Sequence, residues 1–203
     1  MSPLAEAAKQ TLLDVARRAV RLAVERGELL EDLPSDEELQ RPAGAFVTLH
    51  RFGRLRGCVG QLASSEPLIS VVAYCAMAAA LEDPRFTPMK ASDLEGVDIE
   101  ISVLSPLAEI SPDQIEAGKH GLLVSKGVNR GVLLPQVALE HQWDAERFLE
   151  ESCVKAGLEG DAWRHSETRI QAFTAEIFSE ANSGARPNSA ASARSKTGYS
   201  TST

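Results

Sequence analysis

Two β-rich runs lie on either side of Gly53 in residues 45–62, which read AFVTLHRFGRLRGCVGQL. Aromatic and β-branched residues favour extended structure, and a glycine between two such runs lets the chain reverse. The stretch therefore predicts a β-hairpin with strands over residues 45–50 and 55–62. Its second strand contains the least ordinary segment of the chain, Leu55-Arg56-Gly57-Cys58-Val59-Gly60.

Hydrophobic periodicity predicts the elements on either side of this hairpin. Apolar residues at helical spacing and strict alternation of apolar with polar residues are the two signals used. They predict helices over residues 3–26, 67–82 and 145–156, strands over 97–103 and 170–178, and a second hairpin within 121–134. Hairpins outnumber strand-helix-strand units. We therefore expect an α+β fold whose sheet is mostly antiparallel and flanked by helices.

The charge of the chain argues against a polyanionic partner. It has 21 Lys and Arg against 29 Asp and Glu, a net charge of −8, which disfavours nonspecific attraction to nucleic acid or an anionic membrane. The longest apolar stretch, 68–81, is shorter than the roughly 20 residues that cross a bilayer, and no secretory signal is visible at the N-terminus. We expect a cytoplasmic protein with no nucleic-acid or membrane partner.

The composition changes after Glu180. Residues 182–203 contain nine Ser or Thr residues and no Leu, Ile, Val or Phe, so this segment cannot bury enough apolar surface to fold alone. The sequence predicts one folded domain over residues 1–181 and a disordered tail over 182–203.

Three cysteines, Cys58, Cys75 and Cys153, are an odd number without a close pair. Neither a disulfide framework nor a Cys-x-x-Cys metal site is encoded, and the four histidines are well separated along the chain. Neither a P-loop nor a dinucleotide-binding glycine motif occurs. No metal site is predicted, and the residues do not identify a cofactor.

Cys58 is the first candidate catalytic residue. Glycines weaken a strand, so Gly57 and Gly60 indicate a bulge, a close backbone approach or an opening through which a ligand reaches the thiol. Arg56 would favour the thiolate and bind an anionic substrate group, which makes Cys58 a candidate nucleophile. The alternative is that Cys58 is a small buried hydrophobe at a bulge, as free cysteines usually are.

His50 is the candidate general base, and its position depends on the hairpin register. A three-residue loop over 52–54 would place Thr48 opposite Cys58 and His50 opposite Arg56, with His50 and Cys58 on one face at a Cα separation of about 7–8 Å. A two-residue loop would turn His50 to the opposite face. The sequence leaves both registers open, and a partly exposed strand histidine without a catalytic role is the alternative.

Two further segments supply candidate substrate-binding residues. In Asp83-Pro84-Arg85-Phe86, Asp83 and Arg85 either present a guanidinium to an anion or pair with each other or the backbone in a turn, which local propensity favours. Gln136 is a polar residue in an apolar run, so if buried it must bond to backbone or to a ligand.

Together these segments resemble the AMMECR domain family, which includes the prokaryotic AmmeMemoRadiSam system protein A. The resemblance spans roughly residues 5–180 and has six motifs in the family's order. They are Phe46-Val47-Thr48-Leu49, Leu55-Arg56-Gly57-Cys58-Val59-Gly60, Asp83-Pro84-Arg85-Phe86, Ile101-Ser102-Val103-Leu104-Ser105-Pro106, Leu133-Leu134-Pro135-Gln136-Val137-Ala138 and Lys155-Ala156-Gly157-Leu158.

The resemblance implies an α+β fold with a larger and a smaller lobe and a cleft near the Arg-Gly-Cys motif. It also implies a shared pathway with a Memo-like protein and a radical SAM protein as partners, but it brings no established reaction. Two functions follow as expectations. One is a small enzyme that uses Arg56, Gly57 and Cys58, and the other is a noncatalytic binding or adaptor module that docks a metabolite or a partner protein in the same cleft.

Overall fold

The computed structural model describes residues 3–181. Its helices are α1 (Glu6–Arg26), α2 (Leu68–Leu81), α3 (Pro135–Glu140) and α4 (Ala145–Lys155). Its strands are β1 (Ala45–Arg51), β2 (Arg54–Gln61), β3 (Val97–Leu104), β4 (Ala108–Glu109), β5 (Gly121–Lys126), β6 (Asn129–Leu133), β7 (Arg169–Phe173) and β8 (Ala175–Ser179). The α+β prediction is confirmed. The tail predicted over 182–203 lies outside the described residues.

The larger lobe is built on a four-stranded antiparallel sheet in the order β2-β1-β3-β8. Helices α1 and α2 pack against each other and against one face of this sheet. Alternate strand residues such as Val47, Leu49, Ile99 and Ile101 are fully buried on that face. In the part of the chain that the structure describes, no helix packs on the other face, which carries more polar side chains, and we call it the helix-free face.

The hairpin between β1 and β2 turns over two residues, Phe52 and Gly53, with Arg51 paired to Arg54. Both turn residues have positive φ, 50° and 75°, as a tight hairpin turn requires. A positive φ is uncommon for phenylalanine. It is held here because the Phe52 N–H donates to the Gly96 carbonyl at 3.0 Å and its ring lies where a Gly96 side chain would begin.

Arg56 is an extra residue in β2. Its neighbours Leu55 and Gly57 pair with the consecutive β1 residues His50 and Leu49, so Arg56 itself has no partner in β1. This two-against-one pairing is a β-bulge, which bends the strand and redirects side chains.

The bulge decides which face His50 occupies. Thr48 pairs with Cys58, and His50 lies two residues further along β1, so all three belong to the helix-free face. The loop therefore has two residues, but the expectation that such a loop turns His50 away from Cys58 is wrong. The bulge at Arg56 supplies the residue that the shorter loop removes from the register.

Gly57 lies on the opposite face, directly against α2. A side chain there would begin 2.0 Å from the carbonyl oxygen of Ala79, so only glycine allows the strand to approach the helix backbone this closely. The close approach fixes the position of the end of α2 relative to β2.

The smaller lobe contains the second antiparallel sheet, in the order β4-β7-β5-β6. Helix α4 packs on β5 and β6, and α3 contacts β5. The core of this lobe is formed by Phe148 and Leu149 of α4 with Leu122, Ile170 and Ala172 of the sheet.

Two segments of chain connect the lobes. The prediction of a single strand over 170–178 is wrong in one respect. The segment is divided at Thr174 into β7, which belongs to the second sheet, and β8, which belongs to the first. Beside it, Ser105 lies between β3 and β4, which also belong to different sheets. The Ser105 N–H donates to the Thr174 carbonyl and the Ser105 hydroxyl accepts the Thr174 N–H, each at 2.9 Å.

The first helix begins at Glu6, three residues later than predicted. Leu4 precedes it in the buried core, and its N–H donates to the Glu176 carboxylate of β8 at 3.1 Å. This contact ties the chain start to the sheet edge and keeps Leu4 out of the helix. Among residues 3–181, no helix combines the length and hydrophobicity that a membrane span requires.

Gly57→Ala is expected to lower the free energy of unfolding by about 1–3 kcal/mol, the usual cost of overpacking a tight site. Urea unfolding followed by circular dichroism measures it. The matched control is Gly160→Ala, since a side chain there meets nothing closer than 3.7 Å. Equal stability of the two variants would contradict the close approach of β2 to α2.

Candidate functional site

The backbone of Cys58 is held at the free edge of β2 by Asp83 and Arg85. The Cys58 N–H donates to Asp83 Oδ2 at 2.8 Å, and Arg85 Nη2 donates to the Cys58 carbonyl at 3.3 Å. A carboxylate and a guanidinium thus occupy the positions that the carbonyl and N–H of a further strand would take. We call this arrangement the edge clamp.

The edge clamp is closed by a salt bridge within the turn after α2. Asp83 Oδ1 accepts from the Arg85 backbone N–H at 3.1 Å and from Nε at 2.9 Å, and Oδ2 accepts from Nη2 at 2.6 Å. Hydrogen bonds from the Arg85 side chain hold the pKa of Asp83 well below its usual range, with further bonds from the Cys58 and Arg85 N–H groups. The Asp83 carboxylate is buried at 3% exposure.

Asp83 and Arg85 therefore pair with each other and with backbone, as the turn alternative predicts. Their exposure differs: the Arg85 side chain is 55% exposed, and among the described residues its Nη1 has no hydrogen-bond partner. Arg85 thus keeps donors that face solvent beside Cys58. Contact of either residue with a substrate stays a prediction.

The Cys58 side chain is half-buried on the helix-free face. The Thr48 hydroxyl donates to Cys58 Sγ at 3.3 Å. These two residues form a cross-strand pair whose side chains lie close because the Cys58 backbone groups point outward to the edge clamp.

The other two cysteines are in different surroundings. Cys75 and Cys153 are both fully buried. Burial raises the pKa of Cys75 to about 11, with a further contribution from Cys58, and burial also raises the pKa of Cys153. Of the three cysteines, Cys58 is the one that is not fully buried.

Arg56 extends into the loop between α2 and β3. Its Nη2 donates to the Thr87 carbonyl at 2.8 Å and lies 3.7 Å from Asp93 Oδ2. Its guanidinium lies 5.9 Å from the Phe86 ring centroid, and its Nη1 is buried with no hydrogen-bond partner. The Arg56 side chain is 15% exposed, so it braces this loop, and contact with a substrate stays a prediction.

Gln136 belongs to α3 in the smaller lobe, and its Oε1 is buried with no hydrogen-bond partner. Within residues 3–181, no hydrogen bond or ion pair connects it to Arg56, Cys58 or the edge clamp. The structure thus joins Asp83 and Arg85 to the Cys58 backbone, whereas no described contact joins Gln136 to these residues.

His50 shares the helix-free face with Cys58, as described above, but no hydrogen bond joins the two side chains among the described residues. Sequence reasoning did not single out three further residues of this face. Thr48 contacts Cys58, while Asp98 and Glu100 pair directly with His50 and Thr48 from β3. The alternation of residues 97–103 shows both acids on one face, but only the β1–β3 register places that face beside His50.

The cavities of about 610 and 640 Å³ lie in the smaller lobe, lined by residues including His165 and Glu167. They do not include Cys58. Over the described range 3–181, no group of three or more His, Cys, Asp or Glu side chains is arranged to hold a metal ion.

The fold and site define an α+β protein with two antiparallel sheets and a clamped cysteine on an edge strand. Residues 13–178 match the model of the AMMECR1 family, and the chain belongs to that family.

Two comparisons show how far the similarity extends. A protein of Methanothermobacter thermautotrophicus is 42% identical over 188 residues, covering 88% of this chain and 97% of that protein. The crystal structure of an uncharacterized protein from Pyrococcus horikoshii is 41% identical, with a TM-score of 0.76, and the match covers 83% of this chain and 89% of that one. The similarity thus extends over most of the described residues.

Asp83→Asn is expected to destabilise the protein at pH 7 by about 1.5–3 kcal/mol, because it weakens charge-assisted hydrogen bonds in a buried site. The folded state holds the pKa of Asp83 below its unfolded value, so this stabilisation is present above about pH 4 and is lost as the pH falls further. The difference between the two proteins should therefore shrink below about pH 4.

Urea titrations of both proteins at pH 3, 5 and 7 measure this difference. Asp113→Asn, which changes an exposed aspartate, is the control and should match the wild type throughout. A pH-independent difference, or none at pH 7, would show that the edge clamp contributes no carboxylate-dependent stability.

Thr48→Val is expected to slow alkylation of Cys58 by iodoacetamide about tenfold at pH 7, because it removes the hydroxyl that donates to Cys58 Sγ. A hydrogen bond to a charged acceptor is worth about 1.5 kcal/mol or more, which corresponds to about a tenfold change. Thr48→Ser keeps the hydroxyl and should react like the wild type. Mass spectrometry of the Cys58 peptide measures both rates, and equal rates for the valine and serine variants would count against the bond.

Proposed function

We propose that the protein is a small enzyme in which Cys58 is the nucleophile. The observation that carries the proposal is the setting of this cysteine. Its side chain is only partly buried and accepts a hydrogen bond from Thr48, and its backbone N–H and carbonyl are both held by the edge clamp. A nucleophile needs access, a stabilised thiolate and a fixed position. A cysteine that only fills space needs none of these.

In the proposed reaction, His50 accepts the thiol proton and Cys58 Sγ attacks an electrophilic carbon of the substrate. A carbon–sulfur bond forms as the bond to the leaving group breaks. The leaving group departs with that electron pair and recovers the proton from His50, so charge and protons balance. His50 is assigned this role because it shares the face of Cys58 through the bulge at Arg56.

The substrate class follows from the arginines near Cys58. Arg85 is half-exposed, and its Nη1 has no hydrogen-bond partner within residues 3–181, whereas Arg56 is mostly buried and bonded to Thr87. Arg85 is therefore the better placed of the two to bind an anionic group such as a carboxylate or phosphate. Arg56 would act by holding the loop that carries Phe86.

The family resemblance adds a pathway to the proposal. Its prokaryotic members are associated with a Memo-like protein and a radical SAM protein, which is an associational argument. We propose that the substrate of Cys58 is made or consumed by one of these two partners.

A noncatalytic binding module is the alternative function. It is favoured by one observation: among residues 3–181 no imidazole or carboxylate is hydrogen-bonded to Cys58 Sγ, and Asp83 bonds the backbone of Cys58 rather than its thiol. A site for docking a metabolite would need the fixed backbone and the free donors of Arg85 but not a base.

Iodoacetamide labelling of the folded, full-length protein distinguishes the two functions. The rate at the Cys58 peptide is measured by mass spectrometry and compared with the same peptide in urea. An enzyme nucleophile should react faster in the folded protein than in the unfolded chain. Cys75 and Cys153 should react only after unfolding, because both are buried with raised pKa values.

Cys58→Ser is the control for peptide assignment and should leave no fast-reacting thiol. A Cys58 that reacts no faster in the folded protein than in urea would overturn the enzyme proposal and favour the binding module.

A further inference from the structure

His50 lies on the middle one of three adjacent strands, between a thiol and a carboxylate. On the helix-free face, Asp98 of β3 pairs directly with His50 of β1, and Cys58 of β2 lies diagonal to His50 on the other side. Directly opposed residues are about 4.5–5.5 Å apart at Cβ, and diagonal ones about 7–8 Å. The three side chains therefore follow one another across the sheet in the order thiol, imidazole, carboxylate.

One oxygen of Asp98 is anchored and the other is free. Oδ1 accepts the N–H of Ala181 at 3.0 Å, while Oδ2 has no hydrogen-bond partner among the described residues. The bond to Ala181 fixes the carboxylate on the chain segment that follows β8. The free oxygen can accept an N–H from a neighbouring ring. Among the described residues no hydrogen bond or ion pair joins Asp98 to His50, so the contact forms when the imidazole turns toward Asp98.

The charged groups around His50 come from both flanking strands. Asp98 is directly opposite it, and Glu100 is diagonal to it because it pairs with Thr48. From β2 the neighbours are Cys58 and the bulged Arg56. Asp98 is thus the carboxylate in direct register with the ring, and Glu100 is a natural control one pair further along.

We infer that Asp98 is a positioning residue for His50. Its free Oδ2 accepts the N–H of one ring nitrogen. This bond selects the tautomer in which the other ring nitrogen carries no proton, and that nitrogen faces Cys58 Sγ and takes its proton. The same division of roles operates in nucleophile-histidine-aspartate triads, where the carboxylate orients the ring and is not itself protonated. The inference rests on the proposed function and adds the residue that makes His50 a base.

Cys58, His50 and Asp98 are linked by the register of three strands. Catalytic hydrogen bonds often shorten only when substrate binds, so the register of the strands is the observation that links Cys58, His50 and Asp98. That register is fixed by the buried pairs on the opposite face, such as Leu49 with Ile99.

The test compares Cys58 alkylation at pH 6, 7 and 9 in the wild type, Asp98→Asn, His50→Gln and the double variant, all as the full chain. Asparagine still accepts the Ala181 N–H, so the fold should be retained, and circular dichroism and thermal unfolding check this. Asp98→Asn and His50→Gln should each slow alkylation about tenfold at pH 6 and 7, a smaller effect than general bases have on enzymatic turnover.

At pH 9, where an ordinary cysteine is largely ionised, the differences should be small. The double variant should react like His50→Gln alone, because Asp98 acts through the ring. Glu100→Gln removes the same charge from the neighbouring pair and should react like the wild type.

The outcomes distinguish failure of the proposed function from failure of the role of Asp98. A wild-type Cys58 no more reactive than in urea removes the proposed function. A reactive Cys58 with Asp98→Asn equal to the wild type, or with an Asp98→Asn effect that persists in the His50→Gln background, removes only the role of Asp98. A Glu100→Gln variant slowed as much as Asp98→Asn would show that the loss of either negative charge, and not a bond from Asp98 to the ring, causes the slowing, and it too removes the role of Asp98.

Nitrogen-15 NMR of the histidine side chains gives a second readout that does not depend on thiol reactivity. A ring held by Asp98 populates one neutral tautomer, and Asp98→Asn should mix the two tautomers at His50 but not at His120, His141 or His165. Unchanged His50 signals in the variant would overturn the inference.

Discussion

The carboxylate of Asp83 takes the place of a neighbouring strand at the edge of β2, and the site depends on that substitution. Its bond to the Cys58 N–H and the bond from Arg85 to the Cys58 carbonyl fix the backbone without covering the side chain. A real strand at this edge would have extended along β2 and enclosed the thiol's surroundings, whereas a single ion pair satisfies only the two backbone groups that need it. The edge is closed to further strand pairing, and the thiol stays accessible.

Two contacts of β2 position this ion pair, one through the backbone of Gly57 and one through the side chain of Arg56. Gly57 lets β2 lie against the end of α2, and the chain leaves that helix directly into the turn that carries Asp83. The bulge at Arg56 lies immediately before Gly57 and sends the arginine side chain to the loop that follows the same turn. Gly57 thus contacts α2 itself, while Arg56 contacts the segment after α2 through its side chain and Cys58 through its backbone.

Much of the fold could be predicted because each element has a local signal. The alternation of residues 97–103 and the apolar run of α2 are such signals, and the family motifs placed Cys58, Asp83 and Arg85 among the site candidates. The division at Thr174 could not be predicted, since β7 and β8 are both β-rich and only pairing with different sheets separates them. The face of the sheet on which His50 lies could not be predicted either. It depends on a two-residue turn and on a bulge whose effects on the strand register cancel each other. Asp98 required a partner strand about fifty residues away in the sequence.

The first sheet is completed by a strand from the far end of the described chain. β3 is synthesised before the whole smaller lobe, and its partner β8 comes only after that lobe is made. On the ribosome, the hydrogen-bonding edge of β3 therefore emerges long before the strand that covers it. Large sequence separation slows such pairing, and an open edge invites the wrong partner. The smaller lobe thus delays completion of the first sheet, and the edge of β3 stays open to misassociation until β8 has left the ribosome and paired with it.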